Sequence, residues 1–432
     1  MRKMIIISVF VSMAIMITSP VCATNGDNLI AIGPIARSMG GVGIVAPQDP
    51  ISAVFGNPAA MCFAPYCLTS EFNFSGSLFI PDVEGSIHQV SGVTKAESDK
   101  KVYAIPAIGL SVPITSAPPL WRFGLAAYGV SGLGVDYRDT GLDNAAGYDF
   151  GPGGTAPLIA GEFTNLQIMK FSPAVAYQPR DNLSLGLALH IDYATLDLRE
   201  GNSFDYGYGL QAGLIYTLND HVSLGLSYIT PQNVSHERVN DFDGDGSLDT
   251  LDLEAPQQFG AGAAYQIAGA KNFLVEANIK WINWSDADGY DDFDWDDQWV
   301  YALGVQIEAI PKLFLRCGYN YSNNPVNEHN GFDGSFDPGT GFPNSTNSVQ
   351  GKTLPTYYYE TFRIVGFPAI IKHHITLGIG YEISRRFSLH LGYMHGFEET
   401  ISERGTDLFG QPVKLRSTLR EDSLDFGLTW RF

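Results

Sequence analysis

Long apolar runs are almost absent from these 432 residues: only residues 4–17, just after Arg2 and Lys3, form one. Beyond it, nothing reaches the ~20 apolar residues that a helix needs to cross a bilayer, and mean hydropathy is -0.01. Any crossing must be made by strands, which satisfy their backbone polar groups only in a closed barrel. Positive charge is scarce too. The chain has 26 Lys and Arg against 46 Asp and Glu, a formal net charge of -20, which argues against nucleic acid as a partner. A Gly-x-Ser-x-Gly nucleophile motif is missing, and neither His190 nor His390 has a serine partner that spacing can identify, so the chain reads as no enzyme. No linker and no shift of composition divides it, and its loops are too uneven for a repeat of fixed period.

What is present begins with residues 1–23, a basic pair, the apolar run and Val21-Cys22-Ala23, which read as a secretory signal cleaved after Ala23. Lipid attachment at Cys22 would want a small residue where Val21 stands. Loss of Arg2 and Lys3 leaves 24 basic residues against 46 acidic ones, a net of -22. An exported chain meets an oxidising compartment. Cys62 and Cys67 are near enough in sequence for a small disulfide loop, with two thiols as the alternative. Cys317 shares the parity of Leu313, Leu315 and Tyr319, so it is expected to face lipid unpaired.

The last residues carry the architecture. Leu424, Phe426, Leu428, Trp430 and Phe432 alternate with Asp425, Gly427, Thr429 and Arg431, a strand with one face in an apolar medium. A soluble sandwich could show one such strand; here the pattern recurs. Strands are expected at 68–80, 102–113, 121–137, 163–178, 183–193, 206–218 and 222–229. Others follow at 259–267, 273–284, 299–307, 313–321, 375–383, 387–397 and 424–432. That makes about fourteen, an even number that returns the C-terminal end to the side where the first strand began, with short turns alternating with long connections. The polar parity places Glu71, Asn73, Lys170, His190, Asp192, Glu276, Asn278, Lys280, Arg316, Asn320, Glu382, His390 and Arg431 inside, because charges facing hydrocarbon cost several kcal/mol.

Residues 24–65 do not alternate and read as short helices and turns outside the wall or inside the lumen. The run Gly33, Ala36-Arg37-Ser38-Met39-Gly40-Gly41, Ala46, Ala53-Val54-Phe55 and Asn57-Pro58-Ala59 resembles the N-terminal segment of the FadL/TodX family. These are outer-membrane transporters of long-chain fatty acids and aromatic hydrocarbons. The resemblance implies an all-β, fourteen-stranded antiparallel transmembrane barrel (68–432) whose lumen is plugged by an N-terminal hatch (24–67). The hatch residues would include Gly40, Gly41, Asn57, Pro58 and Ala59. It also implies a third strand that kinks inward at Gly129, Gly132 and Gly134 and opens the wall sideways. A curved, glycine-rich strand is the plainer reading of those glycines. The function implied is passive uptake of a hydrophobic small molecule, most simply a long-chain fatty acid, by a monomer in the outer membrane of a Gram-negative bacterium. No cofactor is required.

Lys280 and Arg316, cations beside apolar wall residues, are candidates for a substrate head group, although charge pairing across the lumen is the common use of such residues. Residues 241–252 match the spacing of a calcium loop. Asp241, Asp243, Asp245, Asp249 and Asp252 offer oxygens at positions 1, 3, 5, 9 and 12, with Ser247 between and Gly246 at the sharp turn. The last position is Asp where Glu is usual, and strands flank the loop. Weak calcium binding is expected, against a solvated hairpin tip. The acidic run 286–297 lacks ligand spacing and reads as solvated loop. The long connection 323–371 carries many aromatics, which form an apolar groove or pack the loop on itself. Rival functions are a calcium-dependent surface adhesin, a barrel hydrolase and an open porin; a hatch argues against the last.

Overall fold

The structure is a computed structural model that describes residues 24–62, 69–99, 102–116, 118–144, 148–149, 155–266 and 273–432. The expected signal, Cys67 with its expected bridge to Cys62, and the turn at 269–271 lie outside the described residues.

Each alternating segment forms a strand of one antiparallel sheet. In chain order these are β1 (Glu71–Gln89), β2 (Tyr103–Pro113), β3 (Leu120–Leu133), β4 (Asn165–Arg180), β5 (Leu183–Asp197), β6 (Asn202–Asn219) and β7 (Val222–Ile229). They continue with β8 (Gln258–Gln266), β9 (Leu274–Ile282), β10 (Gln298–Ile310), β11 (Leu313–Ser322), β12 (His373–Glu382), β13 (Phe387–Gly396) and β14 (Pro412–Arg431). Neighbours in sequence are neighbours in the sheet, and β14 closes it onto β1 from Glu71↔Arg431 to Gln89↔Val413. The result is the expected closed barrel of fourteen strands.

The two closing strands run longer than the alternation predicted, β1 to Gln89 and β14 from Pro412. Their inward face changes character along its length. Asp425 and Thr429 are buried inside while Leu424, Phe426, Leu428 and Trp430 are exposed outside; further along, Val413, Leu415 and Leu419 are the buried residues of that same inward face. In β1 the inward Glu71, Asn73 and Ser75 give way to Phe79, Val83 and Ile87. Next to lipid the apolar residues must point out. Beyond the lipid they point in, as in a soluble protein, and the strands Gly92–Glu97 and Glu399–Thr406 pair onto this taller part of the wall.

The charges assigned to the interior are there. Glu71, Asn73, Lys170, His190, Asp192, Glu276, Asn278, Arg316, Asn320 and His390 are buried, and Lys280, Glu382 and Arg431 half-buried.

Residues 24–62 lie inside the barrel. They form α1 (Pro34–Arg37), α2 (Pro50–Gly56) and a 3-10 turn at Pro58–Cys62. Asp49 caps α2 by accepting the Ser52 N–H at 2.9 Å, with Pro50 preset at the first helical position. A helix inside a barrel this narrow needs small residues on both surfaces. Gly40 has φ 71°, and a Cβ on it would lie 2.7 Å from the Tyr319 nitrogen; a Cβ on Gly318 of β11 would lie 2.1 Å from the Gly40 nitrogen.

Candidate substrate path

Among the polar contacts that hold the hatch against the wall are those of Asn57, Glu276 and Arg37. Asn57 explains the Asn-Pro-Ala signature: its Nδ2 donates to Ile44 O at 2.8 Å and to Leu226 O of β7 at 3.1 Å, while its Oδ1 accepts the Ala59 N–H at 3.0 Å. Pro58, which has no N–H to satisfy, follows it into the 3-10 turn. The Glu276 carboxylate of β9 accepts N–H groups from Gly43 (3.1 Å), Val45 (2.9 Å) and Ala46 (3.0 Å). Arg37 reaches Asp425 at 3.0 Å with both side chains fully buried, and also donates to Ala31 O at 3.1 Å. Of these anchors the sequence showed Asn57 through the resemblance and Glu276 through its parity. The Arg37–Asp425 pair joins segments too far apart for spacing to reveal.

Between hatch and wall lies a cavity of about 60 Å³. Leu29, Val42, Ile44, Phe55, Tyr128, Val130, Ile168, Ile229 and Ile282 make it apolar; Asp27, Lys170, His190, Gln232 and Lys280 add polar groups. Lys170 is already engaged, 3.4 Å from Asp192 and hydrogen-bonded to Gln232 at 2.5 Å. Lys280 faces the cavity with the Phe55 ring centroid 6.0 Å from its Nζ and, among the described residues, no carboxylate within salt-bridge distance. Arg316 does not line this cavity. Its Nε donates to Gln306 at 2.7 Å, so the structure separates the two cations that the sequence paired as candidates.

The wall parts beside the same cavity. β2 and β3 pair from Pro113↔Arg122 to Ala107↔Tyr128 and no further. The next rung would join Pro106 to Gly129, and proline has no N–H to offer it. Beyond that point β2 stays with β1 and β3 with β4, whose register slips between Gly129 and Ser131 with Val130 the extra residue of the bulge. The hatch occupies the edge that β3 has freed: the Leu29 N–H donates to Val130 O at 3.1 Å, and Asn28 bridges Ser131. Ile105 covers the missing rung, its Cγ2 lying 2.7 Å from where a Gly129 Cβ would stand. Gly129 thus sits at the departure itself; Gly132 is three residues past it, and Gly134 lies beyond the end of the strand, where a Cβ would come 2.2 Å from Thr164 O. Pro106 opposite Gly129 was visible in the sequence and was missed.

Above the cavity the acidic segment 286–297, expected to be solvated, folds inward. Trp284, Tyr290 and Trp295 are buried together with ring centroids 4.6 to 5.1 Å apart, and Phe293 stacks on Phe362 of the long connection at 4.8 Å. That connection forms a hairpin, Thr346–Val349 with Lys352–Pro355, and a helical stretch Thr356–Thr361 and Phe362–Gly366. Its aromatics pack: Tyr357 lies in the loop's own core, while Phe362 and Phe367 line a small void of about 20 Å³ beneath the cap with Leu196, Leu198, Leu251, Leu253 and Phe293. Arg363, fully buried, ties the cap together through Glu360 (2.6 Å) and Glu403 (2.9 Å). His329, Glu360 and Glu403 have ligand atoms grouped as if for a metal, but the guanidinium fills their centre, its Nη1 lying 3.1 Å from His329 Nδ1.

At the calcium-like loop the structure gathers the carboxylates of Asp241, Asp243 and Asp249, each with an oxygen within 4.8 Å of the others. Asp241 accepts N–H groups from Gly244, Asp245 and Gly246. Asp245 turns to Ser247, and Asp252 lies in the strand Asp249–Ala255 opposite Ser235. The Lys352 ammonium sits at the cluster, 2.6 Å from Asp249 and 3.2 Å from Asp243, and these contacts hold its pKa above the lysine range.

Comparison with known proteins places this architecture. The sequence model of the family described as Outer membrane protein transport protein (OMPP1/FadL/TodX) matches residues 194–331. The fold is similar to that of the P. putida toluene transporter TodX (TM-score 0.63, 17% identity, 93% of this chain and 99% of that one). It is similar also to a Pseudomonas aeruginosa FadL homologue (0.62, 14%, 95% and 99%) and to the Ralstonia pickettii toluene transporter TbuX (0.61, 15%, 93% and 98%). No curated protein sequence matches the chain. At such identities the structural likeness is one of fold.

Proposed function

We propose that this chain, which carries the FadL/TodX family's sequence pattern over residues 194–331 and the fold of its solved members, admits a hydrophobic small molecule passively through a Gram-negative outer membrane. The observation that carries this reading is the cavity between hatch and wall, set beside the place where β2 and β3 part. A hydrocarbon chain is more stable in lipid than in water by about 0.8 kcal/mol per methylene, so a lateral exit at Gly129 releases cargo downhill with no nucleotide and no covalent step. A long-chain fatty acid is the cargo favoured over a neutral aromatic hydrocarbon, because Lys280 presents a cation to the apolar cavity without a carboxylate of its own among the described residues. Burying that cation against a neutral ring would leave it unpaired.

The test is uptake of labelled oleate and of toluene by cells with and without the protein. Faster entry of oleate supports the full reading. Faster entry of toluene alone overturns the fatty-acid part, and no acceleration of either overturns transport. Lys280→Met is expected to slow oleate uptake at least tenfold, on the scale of one lost charge-assisted contact, and to leave toluene untouched.

Calcium at 241–252 is a subsidiary proposal. The ion would have to displace Lys352 from Asp243 and Asp249, so binding is weak in the native chain and strengthens in Lys352→Met. Calorimetric titration showing no calcium binding to that variant would remove the proposal.

A further inference from the structure

Above the lipid the wall turns basic on its outward side. The alternation that puts Leu428, Phe426 and Leu424 of β14 against hydrocarbon continues on the same face through Arg420, Arg416 and Lys414. Residues paired across antiparallel strands share a face, so the register extends this one sideways. Lys414 stands between Arg404 of the strand Glu399–Thr406 and His88 of β1. Arg416 stands between Ser402 and Ser86, and Ser86 meets Lys95 of the strand Gly92–Glu97. Lys95, Arg404, Lys414 and Arg416 thus occupy two neighbouring rungs that hold no carboxylate, in a chain of net charge -20. Carboxylates enter only on the rungs nearer the lipid, where Lys95 reaches Glu84 at 3.0 Å and Arg420 reaches Asp82 at 2.7 Å. Among the described residues neither Lys414 nor Arg416 has a carboxylate within salt-bridge distance. Like charges set opposite each other on a sheet, as Lys414 and Arg404 are, repel; an anion laid across them removes that cost.

We propose that this face docks the anionic saccharide headgroup of a lipid in the outer leaflet. The proposal is independent of the cargo and needs only that the barrel sit in the outer membrane with its cap outside. Two observations choose the occupant. First, the patch continues the lipid-facing side of β14, so a molecule anchored in the membrane beside the barrel rises directly past it. Second, its height excludes a phospholipid. Arg416 lies eight and Lys414 ten residues beyond Leu424, the last apolar residue of that face. At ~3.3 Å per residue and a tilt of about 40°, they stand roughly 20 and 25 Å above it. Phospholipid headgroups reach only about 5–8 Å past the hydrocarbon. Anions at the height of Lys414 must be carried on a long headgroup, which a phosphorylated or carboxylated glycolipid supplies.

The test is the affinity of the purified full-length protein for two probes, lipopolysaccharide with a complete phosphorylated core and lipopolysaccharide truncated to its lipid and first sugars. The complete form is expected to bind at least tenfold more tightly. Lys414→Gln/Arg416→Gln, two changes on an outward surface, is expected to weaken binding of the complete form about thirtyfold and to leave the truncated form alone, at the usual worth of two basic residues beside an anionic membrane surface. The control Arg385→Gln/Arg386→Gln makes the same change of net charge in the exposed turn before β13, at the other end of the barrel, and is expected to leave both affinities as they are. Equal affinity for the two probes, unaltered binding in Lys414→Gln/Arg416→Gln, or an equal loss in the control overturns the docking face. So does a core saccharide cut from its lipid that binds as tightly as the intact molecule, since the occupant would then not be membrane-anchored. None of these outcomes measures uptake, so the transport reading stands or falls separately.

Discussion

Two acidic loops stand on the same side of the barrel, and they fold in opposite ways. Residues 241–252 form an exposed hairpin tip whose carboxylates are satisfied by their own backbone and by Lys352. Residues 286–297, richer still in aspartate, dive inward and bury Tyr290, Phe293 and Trp295 over the lumen. Charge density is high in both, so it does not decide burial. Interleaved aromatics do: each ring removes 150–250 Å² or so of apolar surface from water, which outweighs the cost of holding neighbouring aspartates at the rim. The contrast shows in the carboxyls themselves. Burial pushes Asp291 above the usual aspartate range, whereas hydrogen bonds from Ser247 draw Asp245 below it.

Breaking the inward loop is where the largest effects are expected. Arg363→Met leaves Glu360 and Glu403 buried beside each other without their cation and is expected to cost about 3–5 kcal/mol, seen as loss of protease resistance in the long connection while the barrel survives. Trp295→Ala removes the ring that meets Trp284, Tyr290 and Phe367, with a similar expected cost of ~3–5 kcal/mol read as a lowered melting temperature of the cap. At the exposed tip the counterpart Asp243→Asn is expected to stay within about 0.5 kcal/mol; a larger loss would mean that the tip is structural after all.

The smallest effects sharpen the contrast by pH. His329 is held above its ordinary 6.5 by its hydrogen bond to Glu360. A histidine shifted upward by folding stabilises fully below its unfolded pKa, and that contribution fades as pH rises through the folded value. Cap stability should therefore fall on the alkaline side of about 6.5, and Glu360→Gln should flatten the profile. A profile that rises instead would refute the assignment. Carboxyl titration by NMR should find Asp245 below and Asp291 above 3.8, the two loops distinguished by the sign of one shift.

Much of the wall was legible because lipid imposes a strict rule on it. Leu183 to Tyr193 alternate with Ser184 to Asp192 since one face meets hydrocarbon and the other a polar interior, and β5 follows that reading from its first residue. The same rule explains the failure at β14. Val413, Leu415 and Leu419 are apolar on the inward parity, opposite to Phe426 and Trp430, so a search for one greasy face stops at Leu424. The aromatic knot at 284–295 escaped because its partners, Phe362 and Phe367, are some seventy residues away, and a loop dense in aspartate looks solvated until those partners are in place. Lys280 and Arg316 looked alike in sequence; only the wall's register turned one toward the cavity and the other to Gln306.

By itself the order of residues determined that this chain makes an even-stranded wall around polar side chains, because a period of two against lipid leaves no other place for them. It also determined that 24–62 is not wall, since that segment has glycines and prolines where a strand would need branched and aromatic residues, while its place inside the lumen was implied only by the family resemblance. Tertiary structure alone decided which cation faces the cavity and where the wall lets go of β3. Each of those depends on contacts between segments distant in the chain, and such contacts are set by how the closed barrel brings its turns and its hatch together.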